Sequence, residues 1–319
     1  MSSILAVGSV AYDSVKTPFG EVDDVLGGSA VYFGVAAGLF TRVCLVACVG
    51  RDFRAQDAEF LESRNIDLRG LDYREGLTFR WKGEYGYDLN QAQTLETHLN
   101  VFANFSPTIP EPYRNLEFVF LGNIDPVLQR RVLAQVGRPS LVACDTMNYW
   151  ISGHFQALVE TLKQIHVLII NDGEARQLSK EANLARAARK ILSWGPHTLV
   201  VKRGDCGVAM FRRGPGDGCS VFGAPAYPLE DVLDPTGAGD SFAGGFMGYL
   251  AGAGRTDWEA FKQAAIFGSV IASFNVEKFS LNRLKELTFT EVELRYREFL
   301  KITRFEDLTG RPSEAVARE

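Results

Sequence analysis

Along the chain, short runs of almost unbroken apolar residues alternate with stretches of helical periodicity. The runs are "ILAVGSV", "VCLVACVG", "EFVFLGN", "LVACDT", "HVLIIND" and "TLVVKRG", with "SAVYFGVAAGLF" between the first two. Each of the named runs is about as long as a strand, and continuous apolarity marks strands covered on both faces. The spacers "PVLQRRVLAQVG", "GHFQALVETLKQI" and "LARAARKILSWG" carry the apolar spacing of helices. Repeated strand–helix units predict an α/β fold, with a mostly parallel central sheet and helices on both faces.

One segment breaks this rhythm. In "TFRWKGEYGY" (78–87), Phe79, Trp81, Tyr85 and Tyr87 share one parity, and Arg80, Lys82 and Glu84 the other. A period of two predicts a strand with one aromatic and one charged face. "HLNVFANF" (98–105) predicts a second strand. Residues 73–107, with part of 10–20, are therefore expected to form a small β-sheet lid inserted in the main domain, which takes 1–72 and 108–307. The aromatic face either packs against the body or another subunit, or forms a platform over a ligand. The last stretch, "EDLTGRPSEAVARE", has few large apolar groups, and 308–319 are expected to be a disordered tail.

Composition narrows the partners. The 319 residues carry 34 basic and 39 acidic side chains, a net charge of -5. That balance, without a run of Lys or Arg, argues against a nucleic-acid partner. No apolar stretch is long enough to span a bilayer, and "MSSILAVGSV" lacks the basic start of a signal peptide. Cys44 and Cys48 resemble half of a zinc site, but no second pair completes it. Free, mostly buried thiols in a reducing cytoplasm are expected instead.

Two nucleotide motifs are missing. There is no G-x-x-x-x-G-K-[ST], and the turn after the first apolar run is "GSVAYD" rather than G-x-G-x-x-G, which disfavours a nicotinamide dehydrogenase. The best candidate is "DPTGAGDSFAGGF" (234–246). Turn residues lead into a helix starting near Gly239 or Asp240, with Phe242, Phe246, Tyr249 and Leu250 on one face. The first amides of a helix lack internal partners and carry the positive end of its dipole. Glycines there let an anion approach, so Gly237, Ala238 and Gly239 read as an anion hole. Asp240 beside it suits a group that takes a proton from a hydroxyl attacking phosphorus, and the helix amides are expected to keep it ionised at neutral pH. Gly244, Gly245 and Gly248 lie within the helix and predict close packing against a neighbour such as "AAIFGSV".

This stretch resembles the C-terminal D-T-x-G-A-G-D signature of the ribokinase-like (PfkB) carbohydrate kinases, and the resemblance extends diffusely over essentially the whole chain. It implies a ribokinase-like three-layer α/β/α fold with a β lid, Asp240 as catalytic base, and Gly237, Ala238 and Gly239 around the transferred phosphoryl group. Asp234 and Thr236 match positions that bind a monovalent cation such as K+ in some members. "NDGEARQL" resembles the family's N-x-x-E motif, so Asn171 and Glu174 would act on nucleotide phosphate and, through water, on Mg2+; a helix cap is the alternative role. "VVKRGDCG" resembles the nucleotide-phosphate turn, with Gly204 and Gly207 matching. Lys202 and Arg203 either add charge there or are exposed turn residues. Asn275 is the polar candidate beside the adenine.

The same resemblance places Asp13 on the acceptor's hydroxyls, which a carboxylate can accept in pairs. Gly27 and Gly28 in "LGGSAVYFG" match the family's paired glycines. Tyr32 stands where the family commonly has Asn, exchanging a hydroxyl partner for a ring and weakening the case for ribose. Asp145 and Asn148 of "CDTMNYW" read as supporting residues. Together these imply a cytoplasmic ATP- and Mg2+-dependent kinase that phosphorylates a hydroxymethyl group of a sugar or polyol. A nucleoside kinase of the same superfamily is the alternative, since Tyr32 and the 79–87 aromatics would also stack a base. A non-catalytic ligand sensor is a more distant one. Lid pairing in the family implies a homodimer.

Overall fold

The computed structural model describes residues 2–304, except 215 and 217. The tail assigned to 308–319 lies outside the described residues. The strands are β1 (Ile4–Val7), β2 (Ala11–Thr17), β3 (Gly20–Gly27), β4 (Val43–Gly50), β5 (Ile66–Arg74), β6 (Phe79–Tyr85), β7 (Ala92–His98), β8 (Phe118–Leu121), β9 (Leu141–Cys144), β10 (Val167–Asn171), β11 (Thr198–Lys202), β12 (Val208–Arg213) and β13 (Cys219–Ala224). The helices are α1 (Ser29–Gly38), α2 (Ala55–Ser63), α3 (Pro126–Leu133), α4 (Asn148–Gly153), α5 (Phe155–Leu162), α6 (Asp172–Ser179), α7 (Leu184–Ser193), α8 (Ala238–Ala253), α9 (Trp258–Asn275), α10 (Asn282–Glu286) and α11 (Phe289–Thr303).

The main sheet runs β13-β12-β11-β10-β9-β8-β1-β4-β5. Every pairing from β11 to β5 is parallel, and only the β11–β12 and β12–β13 pairings are antiparallel. The central strands are the ones predicted from continuous apolarity. In β1, Ile4 and Ala6 face a core formed with α1, α2 and α8 to α11, while Leu5 and Val7 face a second core formed with α3 to α7. A strand covered by helices on both faces needs apolar residues at both parities, which is the three-layer arrangement expected. The edges were not legible this way. β5 and the β12–β13 hairpin mix exposed and buried positions, so their hydrophobic signal is broken.

Helix α8 is the spine of one layer, and its glycines divide between two neighbours. Gly244 and Gly248 leave room for α1: a methyl group on Gly248 would stand 2.8 Å from Cα of Ala37, and one on Gly244 would overlap the Phe33 carbonyl. Gly245 instead faces α9, where a methyl group would lie 3.0 Å from both Ile271 and the Phe267 carbonyl. The expected packing against "AAIFGSV" therefore holds for Gly245, whereas Gly244 and Gly248 admit α1.

The smaller sheet has the order β3-β2-β6-β7, with β2 and β6 parallel. Two of its four strands come from 11–27, a larger share than the part of 10–20 expected. The strand expected over 98–105 is corrected: β7 ends at His98, and Asn100–Asn104 form a 3-10 turn. The apolar residues of that stretch are anchors rather than one face of a strand. Val101 and Phe105 are buried in the second core, and Phe102 stacks on Phe79. β7 itself is exposed along its whole length, so it carries no hydrophobic alternation to read.

Candidate active site

Asp145, Glu174 and Lys202, at or just beyond the C-terminal ends of β9, β10 and β11, gather around Asp240 at the N-terminus of α8. Gly237 caps this helix with φ of 74°, a left-handed conformation that favours glycine. A side chain there would also overlap the ring of Tyr32. The preceding turn is held from both sides. Asp234 is fully buried, and its carboxylate accepts from the backbone N–H of Thr236 at 2.9 Å and of Ser280 at 2.8 Å. Asn275 donates to the Thr236 carbonyl at 2.8 Å and accepts from the Ser241 hydroxyl at 3.1 Å.

That last geometry corrects the sequence expectation for Asn275. The side chain is fully buried with both ends of its amide engaged, so it fastens the turn to α9 rather than facing an adenine. Tyr32 is corrected in a similar way. Its residue is 1% exposed and its ring lies under Gly237, so it offers no face for stacking. Its hydroxyl points among Asp13, Asp234, Tyr85 and Ser280, and burial followed by Asp13 and Asp234 raises its pKa.

Asp240 lies in the first turn of α8. It is recessed: part of it reaches solvent, yet protein surrounds it closely enough for desolvation to dominate. Burial, with repulsion from Asp145, pushes its pKa up to about 7, against the pull of Lys202. Ionisation at neutral pH, expected from the helix amides, is therefore only partial, because desolvation outweighs them. Lys202 ends β11 with its side chain turned inward, 3.4 Å from Asp145 Oδ2. It is an interior cation rather than an exposed turn residue, whereas Arg203 beside it is exposed.

Asp13 faces the same cleft from β2. It is 5% exposed, and burial pushes its carboxyl up to about 7, with Asp234 and Asp240 adding to the shift. Of the paired glycines, Gly27 makes room for this carboxylate and Gly28 for the neighbouring backbone. A side chain on Gly27 would overlap the Asp13 carboxylate, and one on Gly28, at φ of 96°, would meet the Ser9 carbonyl at 2.6 Å. The Gly28 N–H opposes the rise in the Asp13 pKa without cancelling it. Trp81 pairs in register with Asp13, so Trp81, Gly83 and Tyr85 share the face of the small sheet that overlooks the cleft. Tyr85 contacts the turn directly, its hydroxyl 3.4 Å from Thr236 Oγ1. Arg80, on the opposite face, pairs with Asp24 and Asp52 and lies over Tyr12. The split between aromatic and charged faces read from the sequence is thus real, and the aromatic face looks inward. Tyr87 is the exception, at 88% exposed beyond the strand end.

Asn171 and Glu174 form a capping box at the start of α6: Asn171 Oδ1 accepts from the Glu174 N–H at 2.7 Å, and Glu174 Oε2 from the Asn171 N–H at 2.8 Å. Burial and repulsion from Asp145 still push Glu174 up to about 7. Gly204 and Gly207 both have positive φ, 55° and 84°. The side-chain oxygen of Asn90, from the loop between β6 and β7, packs on Gly204 where a Cβ would stand. The lid therefore spans the cleft, touching the α8 turn through Tyr85 and the β11 turn through Asn90. Neither contact is deducible from sequence spacing, because the two partners of each lie on separate units. Asp145, read from the family resemblance of "CDTMNYW" as a supporting residue, proves central to the charge of the site.

Residues 1–286 match the model of the pfkB family of carbohydrate kinases. Among curated proteins, the chain is 28% identical over 259 residues to a cytidine kinase of Thermococcus kodakarensis, covering 79% of this chain and 90% of that one. Among solved structures, it is similar to a nucleoside kinase of Methanocaldococcus jannaschii with a TM-score of 0.74 at 22% identity, covering 93% of this chain and 99% of the other. A nucleoside kinase of Burkholderia thailandensis in complex with inosine superposes with a TM-score of 0.73 at 19% identity, over 93% and 99% of the two chains.

Proposed function

The chain belongs to the pfkB family of carbohydrate kinases and is an ATP-dependent phosphotransferase with an alcohol as acceptor; on that premise we propose that Asp240 is its base and that Asp13 holds the hydroxyls of a sugar or sugar-like acceptor. The observation that carries this reading is a recessed carboxylate in the first turn of a helix whose N-terminus has no side-chain cap: the Gly237 and Gly239 amides have no backbone partner among the described residues, whereas the Ala238 amide, expected in the anion hole, donates to the Pro235 carbonyl at 3.1 Å. A lone helix cap needs neither feature. The acceptor's hydroxymethyl oxygen forms a bond to the terminal phosphorus, and the bond from that phosphorus to ADP breaks. The hydroxyl proton passes to Asp240. The amides at Gly237 and Gly239 stabilise the charge on the group in transit, while that of Ala238 closes the turn. Gly204 and Gly207 shape the turn that receives the nucleotide phosphates. The lid shields the cleft from water.

Among the described residues no cluster of three His, Cys, Asp or Glu side chains suits a metal ion. The residues present fit Mg2+ held through water: Glu174 keeps one carboxylate oxygen outside the capping box, and burial and Asp145 raise its pKa despite Lys202. Glu174 and Asn171 would hold such an ion, which supplies neutralisation of phosphate charge. Asp234 is buried with no ion-pair partner among the described residues, which supports a monovalent cation beside Asp234 and Thr236. Free thiols at Cys44, Cys48, Cys144, Cys206 and Cys219 support a reducing cytoplasm. The bare outer strand β7, with Leu95 and Leu99 exposed, supports a homodimer through the lid.

A nucleoside acceptor is the second reading. The relatives named as cytidine and nucleoside kinases favour it, as does the inward aromatic face of Trp81 and Tyr85. An ATP-consumption assay over a panel of sugars and nucleosides, with Asp240→Asn as the blank, tests both. Asp240→Asn is expected to keep its fold and lose turnover by orders of magnitude. Near-normal turnover in that variant would end the mechanism, and a panel in which no nucleoside reacts would end the second reading.

A further inference from the structure

Lys202 carries a full positive charge into the first turn of α8. Its side chain is 17% exposed, and a Cβ on Gly239 would lie 2.8 Å from its Nζ. Burial alone would lower the ammonium's pKa, but Asp145, Glu174 and Asp240 together outweigh it and hold the group charged. An ammonium among three acids has a simpler role, that of satisfying them. Two observations point beyond it. The contact to Asp145 is a single one at 3.4 Å, longer than the 2.6 Å of the more exposed lysine pairs Lys163–Glu160 and Lys262–Glu259. In addition, Gly239 does not have positive φ, unlike Gly237, so its backbone does not require glycine. Glycine in a helix turn lowers stability relative to Ala. Here its absent side chain clears the space into which Lys202 points.

We propose that Lys202 is a catalytic cation whose ammonium leaves Asp145 and bonds the phosphoryl group in transit, with Asp145 as the positioning residue that stores it between turnovers. This rests on the phosphotransferase reading and adds to the backbone amides a mobile full charge. The bond from the acceptor oxygen to phosphorus forms, the bond from phosphorus to ADP breaks, and the proton goes to Asp240. Lys202 neither gains nor loses a proton. The charge matters most when the equatorial oxygens are most exposed, so its removal weakens the transition state more than the ground state.

The test is isothermal titration of the full chain with Mg·ADP alone and with Mg·ADP plus aluminium fluoride, a mimic of the phosphoryl group in transit. Lys202→Met is expected to bind Mg·ADP within about threefold of the wild type, and the fluoride complex about a hundredfold more weakly. Lys202→Arg is expected to recover part of that loss, since the charge returns in a different shape. Should Lys202→Met fold poorly because it strands Asp145, the double variant Lys202→Met/Asp145→Asn removes both charges. It is expected to regain thermal stability but not the fluoride complex. Equal weakening of both complexes in Lys202→Met, or a fluoride complex of wild-type strength, would overturn the proposal. If the wild type itself gains no affinity from fluoride, the phosphoryl site assigned to the start of α8 fails and the proposal falls with it.

Discussion

The two carboxylates assigned to the acceptor's alcohol, Asp13 and Asp240, are each pushed up to about 7 by burial, so the reaction should depend steeply on pH. Both must be ionised: Asp240 to take the proton, and Asp13 to accept from the acceptor's hydroxyls. For a pKa of 7, each is about 9% ionised at pH 6 and about 91% at pH 8. If both are needed, kcat/KM for the acceptor should rise about a hundredfold across that interval, with a limiting slope of two; one group alone gives about tenfold. Asp145, Glu174 and Lys202 face Asp240 and set where its own step falls. The assay is kcat/KM for the acceptor at saturating Mg·ATP, in buffers of constant ionic strength from pH 5.5 to 9. Asp13→Asn should retain weak activity and reduce the slope from two to one. A flat wild-type profile between pH 6 and 8, or a slope of two that survives Asp13→Asn, would refute the reasoning.

Other perturbations follow from the same geometry. A carboxyl whose folded pKa is raised contributes stability below its unfolded pKa and loses it as pH rises through the folded value. Thermal melts should therefore show the wild type losing stability relative to Asp240→Asn between about pH 4 and 7, so that the variant melts higher at pH 8 despite its lost turnover. Gly237→Ala must place a methyl group at φ of 74° against the Tyr32 ring, which should cost about 2–4 kcal/mol by denaturant titration. The double variant with Tyr32→Ala should cost less than the sum of the two single changes, a coupling that a double-mutant cycle would measure. Gly244→Ala drives a methyl group into the Phe33 carbonyl of α1 and should cost about 1–3 kcal/mol, with little change in the KM for ATP. Light scattering at micromolar concentration should show a dimer, and a monomer would dismiss the lid interface.

The sequence alone determined the layered architecture, because strands covered on both faces must be apolar at both parities and those runs stand out unaided. It also put Gly237, Ala238, Gly239 and Asp240 together at the start of one helix, since they are consecutive and helix geometry fixes their relation. Its reading failed where polar and apolar signals were shared between units. The exposed strand β7 has no apolar face, and the anchors Val101 and Phe105 imitated one. Only the tertiary structure decided which polar groups were already engaged. Asn275 and Tyr32 are site candidates by family resemblance, yet one has both ends of its amide bonded inside the fold and the other lies beneath Gly237. The protonation of Asp240 was likewise out of reach, because it depends on Asp145 and Lys202, which lie far away along the chain. Local hydrogen bonding and periodicity are written in neighbouring residues, whereas desolvation and charge coupling are set by whatever the fold brings alongside.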